Sequence, residues 1–344
     1  MIVEPEIDRA ALQSALRAEY GLQAASLTFF PEGTVGCHYV ADCADGQRAF
    51  VTLLTGGTIA DQQAGRLDFI LALRSRLTES GLFPAQPAVR RTLAGGLKAG
   101  FRGCPLVVSE YIDGANLWPA WPPGPGLGAE LGVLAARLHA ATPQLGMEVP
   151  FTERFRLPFE PLLRQCLAEL AGDPRLERPG QRSLLEMILP RRDDLLQRAD
   201  ELLALAAQVR RLEAPFVLVH TDMHGGNLIR GPQGSLYVVD WEGAMLAPAE
   251  ADLFLFAGAG LEAMLFAYRK QPGAFPLHPE LFAYYLERRN LEDIAYFLHS
   301  TLHENTVDEQ DDFDLRCVGE CLNDHAPLAA TVARIRKALA VEQA

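Results

Sequence analysis

The chain has 344 residues, 49% of them hydrophobic and 22% charged, with 31 Lys and Arg against 44 Asp and Glu for a formal net charge of −13. That length suits two lobes of unequal size, and the negative balance argues against nucleic acid or an anionic membrane as partner while suiting a cationic small molecule. No apolar run reaches the ~18 residues of a membrane span, acidic residues stand in MIVEPEIDRA where a secretory leader would be basic, and the cysteines at 37, 43, 104, 166, 317 and 321 show no paired-ligand pattern, so a cytoplasmic protein without disulfides is expected.

Residues 7–20 predict a helix, because Ala11, Leu12, Ala15 and Leu16 recur at helical spacing before Gly21. The runs 27–30, 37–41 and 48–54 are short and apolar or alternating. Pro31-Glu32-Gly33 and Asp45-Gly46 separate them with turn chemistry, so a small antiparallel sheet follows. Gly33 and Gly36 in PEGTVGCHY read, by themselves, as turn glycines. An apolar-periodic helix is expected over 65–77, and a strand from Leu106 runs to Asp113-Gly114. Pro119, Pro122, Pro123 and Pro125, with Gly124, Gly126 and Gly128, mark a loop. Beyond it, 127–139 predicts a helix whose apolar face holds Leu131, Leu134, Ala135 and Leu138, with His139 as a structural histidine. Helices are also expected over 162–170 and 184–203, the second divided by Pro190.

The most informative stretch is 217–242, VLVHTDMHGGNLIRGPQGSLYVVDWE. Val217-Leu218-Val219 predicts a short buried strand delivering the chain to His220, Asp222, His224 and Asn227, and Leu236 to Val239 a second one ending at Asp240. Transfer of a γ-phosphoryl group requires hard oxygen ligands for Mg²⁺ and a carboxylate to orient and deprotonate the attacking hydroxyl. Asp222, Asn227 and Asp240 supply that set at the spacing of a kinase catalytic loop and its downstream metal-binding aspartate. The string His220-x-Asp222-x-His224 also allows a zinc or iron hydrolase, but no further His/Cys cluster follows to complete a coordination sphere. A third reading is a polar loop capping two strands, which suits a lone Asp or Asn better than three such residues in this order.

Downstream, 248–253 enters an apolar segment in which Asp252 suits a helix N-cap. Residues 282–302 predict an apolar helix whose polar stripe (Glu287, Arg288, Arg289, Glu292, Asp293) reads as a solvated face. The acidic run of Glu304, Asp308, Glu309, Asp311, Asp312 and Asp314 reads as a solvated loop, and Cys317 and Cys321 as neighbours on one helix face.

VHTDMHGGN followed by VVDWEGAMLAPAEADL resembles the signature of the aminoglycoside phosphotransferase and choline kinase family, and EPEIDRAALQSALRAEYGL with YYLERRNLEDIA resembles its spectinomycin phosphotransferase branch. The resemblance implies an α+β, protein-kinase-like fold with a small antiparallel-sheet lobe at 1–113 and a larger, mainly helical lobe at 114–344. It implies ATP and Mg²⁺ as cofactors and the hydroxyl of a small molecule, such as an aminocyclitol antibiotic, as acceptor. A metabolic alcohol is the alternative acceptor, and a catalytically silent ligand-binding relative the alternative class. Asp222 becomes the base, Asn227 and Asp240 the metal ligands, and His220 and Asp252 supports of the loop. Gly33, Thr34 and Gly36 would approach the phosphates, and the backbones of Glu110 and Ile112 the adenine. By the same resemblance, the acidic run would offer carboxylates to the ammonium groups of a drug. One departure is prominent: Thr52 stands where the family carries a phosphate-binding lysine, so Asp68, aligned with that lysine's acidic partner, would lack it. Arg48, Arg66 and Lys98 are the candidates to supply the missing cation.

Overall fold

Asp8 starts the first helix and Gly21 stops it. The Asp8 carboxylate accepts from Ala11 N at 3.0 Å, and Gly21, at φ 68°, turns its N–H back to Arg17 O, so α1 is confined to Arg9–Tyr20. In the computed structural model, which describes residues 4, 6–31, 36–54, 58–172 and 174–340, α1 is followed by β1 (Ala24–Phe30), β2 (Cys37–Cys43), β3 (Arg48–Leu53), α2 (Thr58–Glu79), β4 (Ala99–Phe101) and β5 (Cys104–Glu110). These strands form one antiparallel sheet in the order β1-β2-β3-β5-β4. Leu12, Leu16 and Tyr20 of α1 cluster with Tyr39, Ala41, Val51, Leu53, Leu106 and Val108 of the strands, and Tyr20 Oη donates to Leu106 O at 2.7 Å. Because strand side chains alternate, the residues between these point to the opposite face. That face carries Phe30, His38, Phe50 and Thr52, with Phe50 stacked on His38 at 5.4 Å and set edge-on to Phe30 at 5.5 Å.

The chain divides into two compact units. The one that holds this sheet comprises Met1–Pro122, Ala140–Pro150 and His220–Ala244, so the stretch carrying Asp222 and Asp240 clusters with the sheet although it lies more than a hundred residues beyond it in sequence. Within this unit β6 (Ala115–Asn116) is an edge of a second small sheet.

The other unit, Pro123–His139, Phe151–Val219 and Met245–Ala344, is built from helices α3 (Pro125–Ala140), α4 (Glu160–Ala171), α5 (Pro179–Ile188) and α6 (Arg192–Val209), then α7 (Glu250–Leu253), α8 (Leu261–Arg269), α9 (Pro279–His299) and α10 (Asp308–Ala340). Its strand β7 (Val217–Val219) pairs with Met245–Ala247. Pro190 divides the expected 184–203 helix as its missing N–H requires, leaving one 3₁₀ turn, Leu189–Arg191, between α5 and α6. Helix α9 packs on α4, α6 and α10. Helix α3 meets α8 closely enough that only glycine fits: a Cβ on Gly132 would lie 2.4 Å from Met264 O. Gly132→Ala is therefore expected to lower stability by about 1–3 kcal/mol, read as a fall of several degrees in the thermal midpoint; an unchanged midpoint would show that α8 shifts freely.

Two expectations are corrected here. The acidic run is helical from Asp308 and only partly solvated: Glu304, Asp308, Glu309 and Asp312 are exposed, but Asp311 and Asp314 are buried, with Asp311 Oδ2 binding Arg178 Nε at 2.8 Å and Asp314 Oδ2 accepting from Asn305 Nδ2 at 2.8 Å. Arg178 also donates to Thr301 O. These carboxylates are held by the fold, because burying them requires partners. Nor is the stripe on α9 simply solvated, since Glu287 Oε1 pairs with the buried Arg198 Nε at 2.8 Å and Arg288 Nη1 with Glu153 Oε2 at 2.8 Å. Pattern alone cannot separate a solvated charge from one whose partner lies a hundred residues away.

Candidate active site

His220 holds two backbone segments in register. Its Nε2 lies 3.0 Å from Val239 O and so carries the ring proton, which leaves Nδ1 to accept from Asp222 N at 3.3 Å. Trp241 closes over it edge-on at 4.9 Å, with its indole N–H donating to Val238 O at 3.1 Å. One imidazole thus ties the residue two before Trp241 to the start of the loop, fixing Asp222 relative to Asp240. The loop continues through a 3₁₀ turn, Gly225–Asn227, into β8 (Leu228–Arg230), a strand too short for its sequence to announce, which pairs with β6 and with β9 (Leu236–Val238).

Asn227 is buried and gives both its amide hydrogens to Asp222: Nδ2 lies 2.9 Å from Asp222 O and 3.1 Å from Asp222 Oδ2. That fixes the side-chain amide orientation and leaves Oδ1 as the atom for a cation. The Asp222 carboxylate remains 35% exposed. His224, read from sequence as a loop residue, contributes more: its Nδ1 accepts from Gly226 N at 3.0 Å, so its proton sits on Nε2, 3.6 Å from Asp222 Oδ2. It offers electrostatic orientation rather than a hydrogen bond.

Asp240 adopts a left-handed backbone, φ 66°, and Thr221 does so at φ 76°. Such conformations cost of order 1–3 kcal/mol in non-glycine residues and persist where neighbours over-determine them. Here a Cβ on Gly243 would lie 2.2 Å from Thr221 Oγ1, so the two turns fit only with glycine at that point. Asp240 is exposed at the surface, and the partial loss of water around its carboxyl, the hydrogen bond and charge of Glu242 and the charge of Asp222 all act to raise it above its usual value of 3.8. Glu242 goes the other way: burial opposes its charge, but the hydrogen bond from Asp240 and the charge of Arg74 outweigh it. Of the two carboxyls, Asp240 is therefore the one that takes up a proton more readily. Glu242 Oε2 is buried without a hydrogen-bond partner, as is Arg74 Nε, while Arg74 Nη2 is committed to Pro87 O at 2.9 Å. Asn227, Asp240 and Glu242 therefore gather hard oxygen donors, one of which, Glu242 Oε2, is buried without a partner. That donor set fits Mg²⁺ and not a thiophilic metal.

On the nucleotide side, Gly33 and Thr34 lie outside the described residues. Gly36 is required: at φ 82° a side chain would meet Leu53 O at 2.6 Å. Thr52 Oγ1 lies 3.1 Å from His38 Nδ1 across the β2–β3 pairing. Asp68 does not lack a lysine, since its Oδ1 meets Lys98 Nζ at 2.6 Å in an exposed pair. Of the other candidate cations, Arg48 pairs with Asp42 at 3.0 Å and stacks on the Tyr111 ring at 4.0 Å, whereas Arg66 donates to Ala244 O at 2.8 Å, beside the Asp240 segment. The Glu110 N–H is taken by Ala88 O at 2.8 Å. In the helical unit Asp252 is wholly buried, with its Oδ2 3.0 Å from His139 Nε2, and His139 Nδ1 lies 2.9 Å from Tyr268 Oη, consistent with a structural His139.

The family described as phosphotransferase enzymes matches residues 42–295, well over half of the chain. The chain belongs to that phosphotransferase family. Protein StrN of Streptomyces griseus is 30% identical over 218 residues, 60% of this chain, and the chain spans only 62% of the length of that relative. Spectinomycin phosphotransferase, solved with ADP and spectinomycin, superposes with a TM-score of 0.76 at 20% identity over 92% of this chain and 95% of that one. An amicoumacin kinase, solved with AMP-PNP, Ca²⁺ and its antibiotic, gives 0.63 at 17% identity over 93% and 94%. The fold of this phosphotransferase is accordingly the protein-kinase-like α+β fold of small-molecule kinases, with a small antiparallel sheet and a mainly helical remainder. Among the described residues no helix is long and apolar enough to cross a membrane.

Proposed function

We propose that this phosphotransferase moves the γ-phosphoryl group of ATP to a hydroxyl of a small, cationic acceptor of the aminocyclitol class. The observation that carries the reading is the Asp222 carboxylate, oriented by Asn227 Nδ2 at 3.1 Å with 35% of its side chain exposed to solvent. A carboxylate so held is oriented to take the proton of an attacking hydroxyl. Asn227 Oδ1 and the Asp240 carboxylate, with Glu242 behind them, would hold Mg²⁺, which when bound neutralises charge on the phosphates. His220 and His224 keep the loop in the geometry the transfer needs. A bracing role for Asp252 and a phosphate contact from the glycine loop rest on the family resemblance. The likeness to spectinomycin phosphotransferase and the net charge of −13 support a cationic aminocyclitol as acceptor.

The test is ADP release with Mg²⁺ across a panel of aminocyclitols, aminoglycosides and amino alcohols. Acceptor-dependent release that is greatest with an aminocyclitol is expected, and greatest release with an amino alcohol would move the assignment to a metabolic alcohol. Absence of acceptor-dependent release throughout the panel would favour a silent ligand-binding relative.

Thr52 decides how well the phosphates are gripped. A hydroxyl shared with His38 offers a hydrogen bond and no charge. Thr52→Lys is expected to raise kcat/KM for ATP by about tenfold or more, the equivalent of ~1.4 kcal/mol. An unchanged value would mean that another cation, such as Arg66, already serves the phosphates.

A further inference from the structure

In the helical unit, α4 and the C-terminal end of α9 bring together a thiol and two imidazoles that lie far apart in sequence. One donor atom from each of Cys166, His299 and His303 lies within 4.8 Å of the others. His299 is the last residue of α9 and His303 falls one turn later, in the π-helical turn Ser300–Glu304, so the two rings stand side by side with centroids 5.0 Å apart. A histidine pair at this spacing presents two nitrogens on one face, and π turns recur at functional sites. Cys166 faces them from α4.

The ordinary reading of such a group is packing, with the cysteine as a small apolar residue and each histidine hydrogen-bonded to a neighbour. Two features do not fit it. His299 Nδ1 is buried and has no hydrogen-bond partner, which costs of order 1–3 kcal/mol unless something else occupies it. Each histidine also has a carboxylate at its Nε2: Glu304 Oε1 lies 3.6 Å from that of His299, and Glu169 Oε2 lies 3.1 Å from that of His303. A carboxylate behind one nitrogen of an imidazole is the arrangement that orients metal-bound histidines. Cys166 is wholly buried, and burial raises its thiol to about 11, so the group is an unreactive thiol unless a cation displaces its proton.

We propose that Cys166, His299 and His303 bind a zinc-class divalent transition metal, with Glu169 behind His303 as the carboxylate that orients its ring. The thiolate and imidazole donors suit a borderline-soft ion and exclude Mg²⁺ and Ca²⁺, which require oxygen. Binding releases the Cys166 proton to solvent and changes no oxidation state. Joining α4 to the end of α9 gives the metal a structural role, and the site is distinct in its residues from the Asp222, Asn227 and Asp240 set, so its test does not depend on kinase activity.

Metal-free full-length protein titrated with Co²⁺ should develop a thiolate-to-cobalt charge-transfer absorption that saturates at one equivalent and is removed by Zn²⁺, and Zn²⁺ should raise the thermal midpoint. Cys166→Ser should abolish the charge-transfer absorption. His303→Ala, a change at an exposed residue, should weaken Co²⁺ binding by about tenfold or more while the circular dichroism spectrum is unchanged. Asp222→Asn should leave the absorption intact. Absence of the absorption in the parent protein would overturn the proposal, as would its persistence in Cys166→Ser or full-strength binding by His303→Ala.

Discussion

Replacing Asp222 with alanine is expected to lower kcat for acceptor-dependent ADP release by about 10²–10⁴-fold, with little change in KM for ATP. The expectation follows from where Asp222 sits. Its main chain is fixed by His220 and its side chain by Asn227, so the substitution removes a carboxylate rather than a structural prop. Asp222→Asn separates the two duties of the residue. An asparagine oxygen still accepts from Asn227 Nδ2, preserving the loop, but the amide cannot take a proton. The two variants should therefore be similarly inactive and similarly stable. An asparagine variant that retained most of its turnover would remove Asp222 from the role of base and leave it as a positioning residue.

The second large effect belongs to Asp240, and it is a matter of pH as much as of activity. In the metal-free protein desolvation and Glu242 raise its carboxyl from 3.8 toward about 9, although the residue is exposed and solvent screens part of that shift, so the slope it contributes is shallow. An acid whose pKa is higher in the folded than in the unfolded state binds more protons when folded, so stability is greatest below the unfolded value and falls as pH rises toward the folded one. Across the window from about 5 to about 9, Glu242 is ionised in both states, because its own value lies below 4.5, and Asp240 alone sets the pair's slope. Thermal midpoints of the metal-free protein should decline through that window, and Asp240→Asn should flatten the decline. Mg²⁺ competes with the same proton, so its affinity should rise with pH and the decline should shrink when Mg²⁺ and nucleotide are present. The variant should also lose Mg²⁺-dependent ADP release. Identical slopes for the parent and Asp240→Asn would refute the raised pKa of Asp240.

Much of this was legible in the primary structure. Four of the five strands of the sheet, β1, β2, β3 and β5, were announced by apolar or alternating runs and turn residues, the break at Pro190 by a missing donor, and the spacing of His220, Asp222, Asn227 and Asp240 by the requirements of phosphoryl transfer, whereas β4 carried no such signal. These signals are local: they depend on residues within one element or one loop, where period and turn chemistry act over a few positions. Strand β8 escaped because three residues carry no period. The importance of Glu242 escaped because a carboxylate two residues beyond Asp240 looks like any other acidic residue until its surroundings are known. His224 was read as a loop residue, and only the direction of its Nδ1 assigns its proton to the side facing Asp222.

What the sequence by itself determined was the family, the type of fold and the four residues of the loop, because each is written in spacing that the chain carries with it. What only the tertiary structure decided was the partnership of charges and donors. Lys98 answers Asp68, Arg178 answers Asp311, Arg74 stands against Asp240 and Glu242, and Cys166 meets His299 and His303. The physical reason is the same in each case. The free energy of a charge, a thiol or a buried imidazole depends on what replaces its water, and in a folded chain that replacement comes from residues whose distance in sequence says nothing about their distance in space.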